Sequence, residues 1–169
     1  GVQANASGIN SMALGQDASS SNTNATAFGV QANASGINSM ALGQNTSATN
    51  TNSMAFGVEA TSSGNAAMAL GFDADASGQR STALGANSKA TALDSMALGA
   101  RAEASATQAT ALGYEAKASG TRSLALGREA TAEADDSTAI GASAKAEAEY
   151  STALGYNAKA DRVNEVSIG

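Results

Sequence analysis

The residues that could do chemistry fall at fixed intervals. Lys89, Lys117, Lys145 and Lys159 are spaced by 28, 28 and 14 residues. A neutral lysine can activate a serine, and serines are plentiful, but the chain has no His to serve as the usual base. Glu103 and Thr131 fill the intervening places, so the lysines read as one row on a solvated face. Lys89, Glu103 and Lys117 then form a ladder of alternating charge, worth up to ~1 kcal/mol per pair. Arg80 with Asp94, and Arg122 with Asp136, are also fourteen apart and read as pairs of the same kind. Two carboxylate pairs are left. Asp73 and Asp75 lie two apart, on one face of a strand, and Asp135 and Asp136 adjoin in a turn. Such pairs serve acid–base chemistry or hold Ca²⁺. Calcium needs six to eight oxygens, however, and no loop is long enough to wrap an ion. No catalytic, cofactor-binding or metal-binding residue is expected.

Composition narrows the classes further. The 169 residues contain no Cys, so neither a disulfide framework nor a thiolate metal site is available. Collagen is excluded by 18 Gly and no Pro. No apolar run approaches the ~18–20 residues of a membrane span, and no leader of the secretory kind opens the chain. A net charge of −6 argues against nucleic acid as a partner. Leu, Ile, Val and Phe number only 22, below the roughly 20% share at which chains commonly bury enough apolar surface. The order of the residues resolves that shortage.

Gly stands at position 1 and at every fourteenth residue to Gly169, giving twelve units without insertion or deletion. Residues 1–14 (GVQANASGINSMAL) recur letter for letter as residues 29–42. Counted from its Gly, each unit has small residues at columns 4 and 6, and Ala at column 13 until Ser167. Column 14 is always Leu, Phe or Ile, and column 12 holds all five Met. A helix is excluded, because Gly would interrupt it every fourth turn. The large apolar residues are also two apart, the period of a strand. Each unit therefore reads as two short strands, about columns 3–7 and 11–14. Gly at column 1 and Gly or Asn at column 8 would turn the chain through positive φ. Units of fixed length stack as a β-solenoid, here twelve rungs and roughly 55 Å at ~4.8 Å per rung.

Alternation leaves two ways to fill the coil. In one, columns 4, 6, 11 and 13 line a narrow lumen and columns 12 and 14 point outward as an apolar stripe. In the other, columns 12 and 14 fill the lumen of a self-contained monomer. The first is favoured because columns 4 and 6 never exceed Thr in size. It demands self-association along the stripe, and parallel identical rods close into a cyclic oligomer.

The recurring S-x-A-[LFI]-G-x-x-A-x-A-x-G, seen in SMALGQDAS (11–19), SMALGQNTSA (39–48), STALGANSKATA (81–92) and SLALGREATA (123–132), resembles the head repeat of trimeric autotransporter adhesins, the YadA-like bacterial surface proteins. The resemblance covers all twelve units. It implies a left-handed parallel β-roll, a parallel homotrimer, and apolar stripes meeting on the three-fold axis. The expected interface is Met12, Leu14, Met40, Leu42, Met54, Phe56, Met68, Leu70, Leu84, Met96, Leu98, Leu112, Leu124, Leu126, Ile140, Leu154, Val166 and Ile168. It also implies export to the bacterial surface, with a neck, a stalk and an outer-membrane anchor lying beyond Gly169. Residues 1–169 would be one repetitive head domain. The last unit departs from the pattern, with VNEVSIG replacing the usual ending, and resembles a final rung before a neck.

Charge is distributed unevenly. Residues 1–70 carry Asp17 and Glu59 and no Lys or Arg. Asn10, Asn24, Asn38 and Asn52 occupy column 10 on four successive rungs. Stacked amides can bond up the ladder, or can present a neutral hydrogen-bonding face to a ligand. Phe72, Tyr114 and Tyr156 in column 2 are scattered aromatics. The expectation is a non-enzymatic adhesin head whose repeated weak sites bind collagen, fibronectin, laminin or glycans by avidity. It makes no contact with nucleic acid and none of its own with the membrane. A segment of a viral or phage trimeric fibre and an ice-binding solenoid are the alternatives.

Overall fold

The structure, a computed structural model, describes residues 3–169; the first periodic glycine, Gly1, lies outside them. From β1 (Asn5–Ala6) and β2 (Met12–Leu14) to β23 (Lys159–Ala160) and β24 (Val166–Ile168), two strands alternate per rung. Odd-numbered strands make one twelve-stranded parallel sheet and even-numbered strands another. Every strand pairs with its equivalent fourteen residues away, as Lys89 with Glu103 and Leu84 with Leu98 show. The protein is an all-β parallel solenoid. Its strands are shorter than the sequence suggests, at columns 5–6 and 12–14, because the turns claim more of each unit.

Those turns differ from expectation in their chemistry. Positive φ does occur at the column 1 glycines, from 120° to 141°. A Cβ there would collide with the carbonyl of the next rung's glycine, so two constraints fix Gly. At column 8 the glycines do not have positive φ. The left-handed residues are instead columns 3 and 10, every seventh residue from Gln3 to Asn164, with φ between 50° and 62°. They include Glu59, Arg80 and Tyr150 as well as Asn. Inter-rung hydrogen bonds hold them there: from Asn24 to Asn164 each N–H donates to a carbonyl of the preceding rung, as from Asn24 to Ile9 at 2.8 Å and from Gln31 to Gln16 at 2.8 Å.

The lumen is filled by small side chains from columns 4, 6, 11 and 13. Thirty-one alanines are buried, with Thr46 and serines completing the fill. Most of these hydroxyls are satisfied locally, as where Ser39 Oγ donates to the Gly36 carbonyl at 2.7 Å and Thr46 Oγ1 to Gly43 at 2.9 Å, while Ser81 and Ser123 have no partner. Where column 11 becomes Ala25 or Ala67, column 6 becomes Ser20 or Ser62. The hydroxyl then donates across the lumen to the Ala25 or Ala67 carbonyl, at 2.7 and 2.9 Å. One hydroxyl moves from wall to wall and the volume is kept. No room is left inside for Met or Leu, and columns 12 and 14 lie on the outside.

The twelfth rung meets its donors with a side chain. In earlier rungs the column 7 N–H donates to a carbonyl of the following rung, as Ser105 does to Ala118 at 3.1 Å. On the last rung Glu165 takes that part, accepting from the N–H of Asp161 at 2.8 Å and of Arg162 at 3.0 Å. Arg162 adds a guanidinium contact at 2.8 Å. These donors hold the Glu165 carboxyl down at about 2 from its ordinary 4.5, with the Arg162 side chain the largest cause.

Candidate interaction surfaces

Three surfaces follow from this frame. The first is the outer face of the even-numbered sheet. All eighteen apolar residues expected at an interface occupy the first or third place of these strands, flanking a central residue that is buried alanine from Ala27 to Ala153. Phe28 in β4 (Thr26–Phe28) belongs with them. The face is half-buried to exposed along its whole length, with Leu70, Leu84, Met96, Leu112 and Leu154 each near 40% exposed. Thr26, Thr82, Thr110, Thr138 and Thr152 interrupt column 12, but column 14 is apolar without a break.

The second surface is the asparagine ladder at the opposite turn. Asn10 donates to Asn24 at 3.4 Å, Asn24 to Asn38 at 2.9 Å, and Asn38 to Asn52 at 3.1 Å. Asn24 and Asn38 each spend one donor and one acceptor on their neighbours, Asn10 one donor and Asn52 one acceptor. Ala66 ends the run with φ 54.

The third surface escaped the reading of the sequence. A groove of about 830 Å³ runs over columns 3 and 5, from Asp73 to Asn157, with Ala102 in its floor. Column 5 supplies the lysine row. Column 3 supplies Arg101, Glu115 and Glu129 from the left-handed turns. Because Asp73 is such a turn residue and Asp75 a strand residue, the two do not share a strand face as their spacing suggests. Lys117 meets Glu103 at 3.8 Å, whereas no such pair forms between Lys89 and Glu103, so the expected ladder is half made. Arg101 Nη1 bonds Glu115 at 2.7 Å and the Tyr114 hydroxyl at 3.0 Å. Its guanidinium also lies 5.9 Å from the Tyr114 ring centre. The two arginine–aspartate pairs form as expected, Arg80 on Asp94 at 2.6 and 2.7 Å and Arg122 on Asp136 at 2.6 Å for both bonds. Each guanidinium holds its aspartate below the usual carboxylate range. Among the described residues no three acidic groups converge where they could hold a metal ion.

A parallel solenoid of constant coil length, with an alanine lumen and an apolar outer sheet face, defines a class: a repetitive rod whose surfaces are columns rather than pockets. The family model for the YadA head domain repeat, written for two copies, matches residues 1–18, 20–46, 48–74, 76–102, 104–130 and 132–158. This chain belongs to that family. No curated protein sequence matches it. Among solved structures, the crystal structure of the collagen-binding domain of Yersinia adhesin YadA is 30% identical, with 98% of this chain and 69% of that chain covered and a TM-score of 0.36. The assignment rests on the repeats and not on the superposition.

Proposed function

We propose that this chain is the head of a homotrimeric bacterial surface adhesin, carried on the outer membrane by other segments of the protein, and that it binds collagen. The observation that carries the reading is the apolar outer face on a chain whose lumen is already full. Such a face is far longer than a soluble monomer leaves in water. Parallel copies packed through columns 12 and 14 would bury it around a closed axis. Membership in a head-repeat family of adhesins supports both the trimer and the adhesive role, and favours them over a fibre segment or an ice-binding solenoid. Collagen is named because the similar Yersinia domain binds it. Fibronectin, laminin and glycans draw no such support. Residues 1–169 act as one head domain, repeating weak contacts so that avidity supplies strength.

Two measurements test this. Sedimentation equilibrium at micromolar concentration should return three times the chain mass, and Leu84→Asp with Leu98→Asp should dissociate or unfold the assembly. An unchanged trimer in that variant contradicts the interface. In the second, the trimer should be retained on immobilised collagen, with fibronectin and laminin surfaces alongside. No retention on collagen ends the ligand assignment.

A further inference from the structure

The groove over columns 3 and 5 lies on the odd-numbered sheet, and the apolar face on the even-numbered one. Packing through the apolar face therefore leaves the groove open. It crosses seven rungs, ~29 Å at the spacing of neighbouring strands. Lys89, Lys117 and Lys145 stand in it on alternate rungs, each two strand spacings or ~9.6 Å from the next. Lys89 and Lys145 have no ion-pair partner among the described residues. The lining as a whole is balanced, with four cations and four carboxylates.

These features select among ligands. A polyproline-II strand presents equivalent side chains every third residue, at roughly 9 Å, and a collagen triple helix is wound from such strands. One triplet and two rungs thus keep step to within about 1 Å. A uniformly anionic chain, such as a sulfated glycan, would meet the four carboxylates as well as the lysines. A strand carrying both acidic and basic side chains would meet its complement. We infer that the groove docks a triple-helical strand of mixed charge, with Lys89, Lys117 and Lys145 each receiving an acidic side chain from successive triplets. The inference rests on the collagen reading above and adds the face, the register and the charge pattern of the ligand.

The test uses the trimeric chain and two triple-helical peptides: one of Gly-Glu-Lys triplets between Gly-Pro-Pro caps, and one of Gly-Pro-Pro triplets throughout. Wild type should bind the charged peptide more tightly at low salt. Lys89→Ala with Lys145→Ala should erase that preference, a loss of roughly fivefold or more in affinity for the charged peptide relative to the uncharged one. Both lysines are exposed, and a melting curve checks that the double variant is folded. A preference that survives the double substitution overturns the groove assignment while collagen binding stands. Heparin displacing the charged peptide from wild type, with the same sensitivity to the two substitutions, also overturns it in favour of a polyanion site. Failure of wild type to bind either peptide removes the collagen reading itself.

Discussion

At the residue scale the recurring fact is a left-handed residue every seven positions. A residue with a Cβ is strained there by roughly 1 kcal/mol, and Asn least among them because its amide can bond locally. Ala66, at φ 54, has the strain and no amide. Ala66→Asn should therefore raise stability by about 1 kcal/mol, read as a higher urea midpoint at constant slope. The new amide would also extend the ladder that now stops at Asn52. An unchanged or lower midpoint would show that the turn is not strained at this position. Gly85→Ala, at φ 140 and against the Gly99 backbone, should cost more than ~2 kcal/mol. The glycines of column 1 are legible in the sequence because nothing else fits. Columns 3 and 10 are not, because Arg80, Glu59 and Tyr150 are no one's turn signature. The inter-rung hydrogen bonds impose that conformation, and those bonds exist only once the rungs stack.

At the scale of the element, a rung is stable only between neighbours. The lumen is favoured but not fixed by the sequence, since columns 4 and 6 never exceed Thr in size while alternation alone allows either set of columns inside. The charged groove could not be read there, because columns 3 and 5 become walls only when the turn lifts column 3 beside the strand. On the twelfth rung the Glu165 carboxylate accepts the N–H of Asp161 and of Arg162. That carboxyl is held at about 2 against an ordinary 4.5, so the sign is that of a group whose charged form is favoured by folding. Its contribution is complete above about pH 4.5 and is lost as pH falls toward 2. Asp94, Asp136 and Glu115 shift in the same direction through their arginines. The amides of Asp161 and Arg162 should lose exchange protection across that window, before the central rungs. Glu165→Gln should remove the pH dependence at those two amides and leave them poorly protected at neutral pH. Equal protection in the variant would show that the carboxylate does not close the rung.

At the scale of the whole molecule the period governs everything. Stability in a solenoid is a sum over rungs and their interfaces, so length is free to vary in whole units while register is not. Residues 15–42 make two complete rungs, and their removal joins Leu14 to Gly43, a Leu–Gly junction like those between native units. The shortened chain should keep its strand circular-dichroism signal and its assembly state. Its rod should be ~9.6 Å shorter, measurable as a lower frictional ratio. Its charged groove, from Asp73 onward, is untouched, so the preference for a mixed-charge triple helix should persist. Removing residues 15–41 instead, one residue fewer, retains Leu42 directly after Leu14. In the rung after the junction this shifts every side chain by one place, exchanging lumen and surface columns. Leu42 would stand where column 1 needs Gly, and Met54 would arrive where column 13 should bring Ala into the lumen, so this chain should lose a rung's stacking and melt earlier and in a broader transition. If both deletions melted alike, the fourteen-residue register would not be what holds the rod together, and the apolar columns would have no fixed face to present to a neighbouring chain.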